Sequence, residues 1–451
     1  MTHDWKKATG AAELSARRLP LRAAPVIIVG AGMAGLAAAI SIAAKGERVV
    51  LLEKQAYPGG KMRHVHIDGV AIDAGPTVFT MKWVFDRLFG ETGSSLEDHV
   101  SLQKANVLAR HAWDDTGVFD LFASEAESRD SIGRFFDVRN ADGYTRFCAD
   151  AKATYETLKD TFIADQRPGP IQLSRRIGMT KLGKQLQLQP FSTLWKSLGD
   201  YFPDPRLRQL FGRYATYVGS SPFQAPATLK LIAHVEQAGV WTIDGGMHAL
   251  ACAMRERAAA LGADVRKAEV ASIIVEGGAA KGVVLANGER IDGKAVVYCG
   301  DISRMTPDFF TETSRGLPKP VPAKDRALSA ITWTMTAPTT GFDLHRHNVF
   351  FSHDYRAEFD AIFKHRTVPE APTIYVCAQS RDDDMQLMDG TRDHMLVLMN
   401  APAFGDTRRL TSEELSKCQD ATFSLLRKCG LQVDWSQARM SVTQPADFET
   451  L

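Results

Sequence analysis

Pro25-Val26-Ile27-Ile28-Val29-Gly30-Ala31-Gly32-Met33-Ala34-Gly35 leads into an alanine-rich run over residues 36–45, then Gly46, then Arg48-Val49-Val50-Leu51-Leu52-Glu53. The uninterrupted β-branched run at 26–29 suits a strand buried on both faces, as in a parallel sheet. It passes directly into Gly30-x-Gly32-x-x-Gly35 and a helix over 36–45, which Gly46 ends as a C′ residue. A second strand over 48–52 completes a β-α-β unit. In this context each glycine has its own task. Gly30 permits the tight turn, Gly32 lets the backbone approach a pyrophosphate, and Gly35 allows close helix–sheet packing. The helix start supplies unpaired N–H groups and the positive end of a dipole. Glu53, 18 positions after Gly35, is placed to accept a hydrogen bond from a ribose 2′-hydroxyl. The unit is expected to bind a dinucleotide.

The residues that follow narrow the dinucleotide. Lys54-Gln55-Ala56-Tyr57-Pro58-Gly59-Gly60-Lys61-Met62 brings a second glycine pair. A nicotinamide cofactor has no need of one, whereas a longer cofactor can pass along two more bare backbone positions, with Lys61 adding positive charge. Asp73-Ala74-Gly75-Pro76-Thr77 repeats the device where a flavin ring would lie.

Beyond this opening the pattern is mostly helical from residue 83 to about 238, broken by Pro168-Gly169-Pro170, Pro203 to Pro205 and Pro222. β/α character returns near Gly245-Gly246, with a helix over 247–261 and strands around 264–274, 281–285 and 295–299. Gly277-Gly278 and Asn287-Gly288 mark turns. Strands are expected at 331–336, 373–378 and 394–399, and a helix from Thr411, where Glu414 completes a capping box. This order predicts one domain split in sequence by another: a flexible arm at 1–23, a dinucleotide-binding domain from 24–84 and 240–325, and a second domain from 85–239 and 326–451.

Composition sets outer limits. The chain has 451 residues, with 54 lysines and arginines against 53 aspartates and glutamates, a formal charge of +1. Such balance argues against a nucleic-acid binder that works through a broad basic surface. Hydrophobic residues at 45% and charged residues at 24% are ordinary for a globular protein. Cys148, Cys252, Cys299, Cys377, Cys418 and Cys429 include no C-x-x-C pair, so reduced cytosolic thiols are expected. The first residues lack the apolar run of a secretory signal. Apolar stretches are broken by charge well before about 18 residues, so no spanning helix is expected.

Together, the glycine turn at 30–35, Glu53, Gly59-Gly60-Lys61 and 73–77 resemble the FAD-dependent carotenoid desaturases of the phytoene desaturase family. Two further stretches, Arg206-Leu207-Arg208-Gln209-Leu210-Phe211-Gly212-Arg213-Tyr214-Ala215-Thr216-Tyr217-Val218-Gly219 and 239–248, are similar to the bacterial hydroxyneurosporene (methoxyneurosporene) desaturases. The resemblance runs from about Val26 to the end. It implies an α/β fold: an FAD/NAD(P)-binding Rossmann-like domain with an interleaved α+β substrate domain, as in flavin amine oxidases. It also implies desaturation of an acyclic, hydroxylated or methoxylated carotenoid, drawn from a membrane surface by a cytoplasmic protein peripheral to the inner or intracytoplasmic membrane. By the same likeness Gly30, Ala31, Gly32, Met33, Ala34 and Gly35 meet the pyrophosphate, and Glu53 and Lys54 the adenosine side. Gly59, Gly60, Lys61 and Met62 follow the ribityl side, Gly75, Pro76 and Thr77 lie by the flavin, and the Val270 backbone pairs with adenine. Family members continue past the part matching 443–449 into a glycine- and proline-rich segment with a histidine that closes over the flavin. No equivalent precedes Leu451 in this sequence.

Flavin suits such chemistry because its N5 accepts hydride while the protein orients the substrate and keeps the site dry. The polyene itself can delocalise developing charge, so no catalytic base is assigned; Asp73 and Glu236 are expected to have structural or solvated roles. Phe211, Tyr214, Tyr217, Phe223 and Trp241 are candidates for a tunnel wall or for ordinary core packing. The segment 173–202 mixes Arg175, Arg176, Lys181, Lys184 and Lys196 with Leu182, Leu186, Phe191, Leu194, Trp195 and Leu198, a pattern for a lipid headgroup zone or a solvated basic face. His64-x-His66 and His345-x-His347 lack a third ligand, so no metal is expected. Asp382-Asp383-Asp384 suits a solvated loop, and Gly-x-Ser-x-Gly is absent. A flavin amine oxidase and a non-catalytic isoprenoid carrier on the same fold remain alternatives. The oligomeric state is not legible.

Overall fold

The computed structural model describes residues 24–113, 117–164, 189, 191–312, 319, 321–388 and 390–450. The arm at 1–23 and, within 173–202, Arg175, Arg176, Lys181, Leu182, Lys184 and Leu186 lie outside the described residues. Two compact units divide the chain. One is drawn from Met1–His64, Lys82–Leu102 and Ile243–Pro322, the other from Val65–Met81, Gln103–Thr242 and Ala323–Leu451.

The first unit is built on four parallel strands in the order Ala295–Tyr298, Val26–Val29, Val49–Glu53, Asp264–Lys267. Its second and third strands carry apolar residues on both faces, as a parallel sheet with both sides covered requires. Helix Met33–Ala43 buries Gly35, Leu36, Ala39, Ile40 and Ala43, the three- and four-residue spacing of one helical stripe, and packs beside helix Met247–Ala260. An antiparallel sheet of Val270–Glu276, Ala279–Leu285 and Arg290–Asp292 closes the other side. Ile273, Val275, Val283 and Leu285 meet Ile27, Val50 and Leu52 there in one core. Residues 82–102 belong here too: Arg257 donates through Nε to the Thr92 hydroxyl at 2.8 Å, tying the end of helix Lys82–Gly90 to Met247–Ala260.

The second unit carries a seven-stranded sheet in the order Arg439–Thr443, Ser329–Ala337, Asp393–Ala401, Ile374–Ala378, His347–Phe351, Val107–Trp113, Gly117–Phe122. Every neighbouring pair is antiparallel except His347–Phe351 with Val107–Trp113. One face carries Ile331, Trp333, Met335, Val397, Val376 and Phe350 into a core completed by Leu425 and Leu426 of helix Ser412–Lys428. That helix starts with the expected capping box between Thr411 and Glu414. The opposite face carries Val349, Phe351, Trp113, Phe119 and Leu121 into a second core with helix Val138–Leu158 and the segment around Phe211. Val70–Asp73 lies beside Ser329–Ala337 and Asp393–Ala401, which places 65–81 in this unit.

Two strands, Val107–Trp113 and Gly117–Phe122, stand where the sequence pattern suggested helix. The period of two is present in Val118, Asp120 and Phe122, all more exposed than Phe119 and Leu121 between them. It is short, and although the two strands pair with each other, they join the sheet only through His347–Phe351, more than 200 residues away, so local pattern alone favours the surrounding helices.

Candidate functional site

In the first unit the glycine motif forms a turn whose reasons can be separated. Gly30 has φ +97°, and its N–H donates to the Leu52 carbonyl at 2.8 Å. A Cβ on Gly35 would overlap the Gly30 carbonyl oxygen and sit 3.4 Å from the Cys299 Cβ, so the close packing of helix on strand requires its absence. Gly32 differs. Its φ is −66°, open to any residue, and a Cβ there meets nothing of the chain within 4 Å. Neither backbone strain nor packing calls for glycine; as the N-cap of helix Met33–Ala43 it is favoured over alanine, and the space beside it is open. Helix Met33–Ala43 begins at this point with no side-chain cap and no acidic residue in its first turn, so its free N–H groups and dipole favour an anion.

Glu53 holds the turn from below. Its buried carboxylate accepts from the Ala31 N–H at 2.7 Å through one oxygen and from the Gln55 N–H at 2.8 Å through the other. A carboxylate offers about four lone-pair directions, so two amides leave capacity for a hydroxyl.

The second glycine pair packs on the first. Gly59 donates to the Ala31 carbonyl at 2.8 Å, and a Cβ on Gly60 would lie 3.3 Å from the Gly32 Cα. Both have positive φ, +111° and +59°. Met62 is buried, Lys54 and Lys61 are exposed, and the Lys61 charge helps hold the Asp301 carboxyl low, after the Ser303 amide. His248 anchors this loop: its Nε2 lies 3.0 Å from the Pro58 carbonyl, so that nitrogen carries the proton, and Nδ1 faces the Cys252 thiol at 3.6 Å. His64 stands edge-on to the same ring at 4.3 Å. Val270 is half-buried at the start of Val270–Glu276, opposite Leu285.

Gly75, Pro76 and Thr77 belong to the second unit. The Thr77 hydroxyl is 2.7 Å from the Tyr375 hydroxyl, which is 2.7 Å from His347 Nδ1. Asp73 is buried, and its main-chain N–H and carbonyl both pair with the Gln379 amide at 2.8 Å. The half-buried Arg213 and the buried Glu236 lie 4.0 Å apart, and Glu236 accepts from Tyr214 at 2.8 Å and from Tyr217. Among the tunnel candidates, Phe211 and Tyr214 sit inside the core and Phe223 packs against it. Trp241 lies over Gly239, and Tyr217 is exposed beyond its hydroxyl. Burial pushes both His111 and His347 down to about 3, with Arg213 adding to each. From sequence, His347 stands only as part of a metal-like His345-x-His347 spacing and Arg213 only within the 206–219 stretch, and His111 and Tyr375 have no role; a histidine inside an apolar strand is the one available signal. No group of three or more metal-ligating side chains occurs among the described residues.

A dinucleotide-binding unit with this turn defines a class, and the comparisons with known proteins agree with it. The model of the family described as flavin-containing amine oxidoreductase matches residues 33–438. The chain belongs to that family, and FAD is its cofactor. It is 45% identical over 434 residues to a hydroxyneurosporene desaturase of Rubrivivax gelatinosus, covering 96% of this chain and 82% of that one. A hydroxyneurosporene desaturase of Cereibacter sphaeroides is 37% identical, covering 94% and 85%. Among solved structures a putrescine oxidase superposes with a TM-score of 0.54 at 15% identity, over 92% of this chain and 85% of that one. A protein from Pyrococcus furiosus gives 0.56 at 14% identity, over 92% and 88%. These structures bear on the fold, which is the mixed α/β fold expected.

Proposed function

We propose that this chain is an FAD-dependent desaturase that introduces a double bond into an acyclic carotenoid in carotenoid biosynthesis, acting on a hydroxylated or methoxylated member of that class. The observation that carries the reading is 45% identity across 96% of the chain to a hydroxyneurosporene desaturase, joined to a glycine turn whose Gly32 leaves open space beside bare backbone at a helix start. When bound, FAD would supply a hydride acceptor for one of two adjacent carbons, the proton from the other passing to solvent.

The chain's own residues have distinct parts in this. Gly30 to Gly35 would hold the diphosphate on bare backbone and a helix start, and Glu53 the adenosine ribose, with Lys54 beside it. Gly59, Gly60, Lys61 and Met62 would follow the ribityl chain, with His248 fixing the loop through Pro58. Val270 would offer its backbone to adenine, and Gly75, Pro76 and Thr77 would serve the flavin ring. The FAD-binding domain would comprise about 24–84 and 240–325, and the substrate domain the rest. Because the substrate is lipophilic, peripheral association with a membrane on the cytoplasmic side is part of the proposal. No helix among the described residues is long and apolar enough to cross one.

The test is spectroscopic. Flavin-loaded protein mixed with liposomes carrying a hydroxylated acyclic carotenoid should shift the carotenoid absorption to longer wavelength as conjugation extends. Oxidation of a primary amine with peroxide release, and no carotenoid shift, would point to an amine oxidase. Extraction of the polyene by a colourless, flavin-free protein would point to a carrier.

A further inference from the structure

Toward its Val107–Trp113 edge, one face of the seven-stranded sheet is apolar apart from two histidines, while farther across the same face Ser329–Ala337 carries the buried Thr332, Thr334 and Thr336. Val349 and Phe351 on one strand, Trp113 on the next, and Phe119 and Leu121 on the edge strand all enter the same core. His347 lies two residues before Val349, and Val349 pairs with His111 across the parallel ladder. The two histidines are therefore diagonal neighbours on one face, a separation of roughly 7–8 Å in a sheet. Both are buried, at 3% and 0% exposure. His347 Nε2 has no hydrogen-bond partner among the described residues, and neither does Arg213 Nε. The His111 ring makes no bond of good geometry either, although the Phe119 main chain comes near it. Burial keeps both rings neutral, helped at His111 by the charge of Arg213 and at His347 by those of Arg346 and then Arg213.

A neutral imidazole has one N–H and one lone pair. The chain Thr77–Tyr375–His347 uses Nδ1 for one of them, so Nε2 presents the other to the interior. Leaving such a group unpaired is unfavourable, and a hydrocarbon polyene would leave it so. We propose that His347 Nε2, with His111 and Arg213 around it, receives an oxygen substituent on the substrate chain and thereby selects oxygenated over unsubstituted acyclic carotenoids. The inference rests on the desaturase reading above and adds to it the place where the substituent is recognised. A hydroxyl, being donor and acceptor, satisfies Nε2 in either tautomer; a methyl ether satisfies it only when Nε2 bears the proton.

The experiment compares His347→Phe with the native holoenzyme on liposomes carrying a hydroxylated carotenoid, its methyl ether, or the hydrocarbon of equal conjugation length. Phenylalanine keeps the ring that stacks on Tyr375 and removes both nitrogens. The ratio of kcat/KM for hydroxylated over unsubstituted substrate should fall about tenfold or more, and His347→Gln, which returns polar atoms, should recover part of it. An unchanged ratio, or equal losses on both substrates, overturns the proposal. Should His347→Phe fail to hold flavin, His111→Phe provides the same comparison. Carotenoid uptake from the liposomes, measured without turnover, separates the two readings. Preferential uptake of the hydroxylated carotenoid that His347→Phe abolishes would uphold this inference even if native protein desaturated nothing. Desaturation by native protein without preference would sink it and leave the desaturase reading intact.

Discussion

A methyl group added to Gly35 would overlap the Gly30 carbonyl, whereas one added to Gly32 would touch nothing in the chain. The same substitution at two members of one motif should therefore fail in two different ways. Gly35→Ala forces helix and strand apart, and should lower stability by about 1–3 kcal/mol, the range for overpacking a tight contact, with or without FAD. Gly32→Ala keeps an allowed backbone and loses only the N-cap preference for glycine, so the stability of the flavin-free protein should fall by no more than about 1 kcal/mol. Its flavin content after purification should nevertheless fall well below that of native protein. Thermal melts of apo protein and flavin absorbance per chain check both outcomes. If Gly32→Ala bound FAD normally, the open space above that residue would have another explanation. Glu53→Gln is a third case at this scale. One of its two amide acceptors becomes a donor facing a backbone N–H, so stability should drop by about 1–3 kcal/mol, measurable in the same melts.

Single elements carry their own tests. Thr411→Ala removes the side chain that accepts from the Glu414 N–H and should cost about 1 kcal/mol, read from denaturant midpoints. Along Ser329–Ala337, Thr332, Thr334 and Thr336 alternate with the buried Ile331, Trp333 and Met335, and their hydroxyls are buried without partners among the described residues. Thr334→Val replaces an unpaired hydroxyl with a methyl and should stabilise apo protein by about 1 kcal/mol; a loss instead would mean that the hydroxyl is satisfied. These two elements also mark what a sequence can disclose. The cap at Thr411 is local, and so is the signal of the glycine turn, since Gly30, Gly32 and Gly35 fall between one strand and the helix that follows it; only its packing on Gly59, Gly60 and Cys299 comes from farther along the chain. The polar spot at His111 and His347 is not local. It exists only because Val349 pairs with His111 from 238 positions away, and no local pattern encodes that pairing. Strand Val107–Trp113 is masked in part for the same reason: its neighbour Gly117–Phe122 is close in sequence, but the strand that ties both into the sheet, His347–Phe351, is not.

Across the whole molecule, buried titratable groups set how stability follows pH, and here they oppose one another. Glu358 is buried between the Thr373 N–H and the Asn400 amide, yet burial pushes its carboxyl up to about 7 from an ordinary 4.5. The folded state thus holds a proton that the unfolded chain releases above 4.5. Stability from this group is full below that pH and is lost as pH rises toward 7, by about 1.4 kcal/mol per unit. His111 and His347 act in the other direction. Held neutral down to about 3 against an ordinary 6.5, they cannot take the protons that the unfolded chain binds, so stability falls as pH drops below 6.5, at a similar slope for each. Two histidines outweigh one carboxyl between about 4.5 and 6.5, and only the carboxyl still titrates between 6.5 and 7. From these three groups, melting temperature should rise toward about pH 6.5 and then decline slightly. Glu358→Gln isolates the carboxyl. Relative to native protein it should gain on the order of 3 kcal/mol between pH 4.5 and 7, provided the amide keeps its bond to Thr373. A difference curve flat across that window would mean that Glu358 is ionised throughout and that its two donors outweigh its burial.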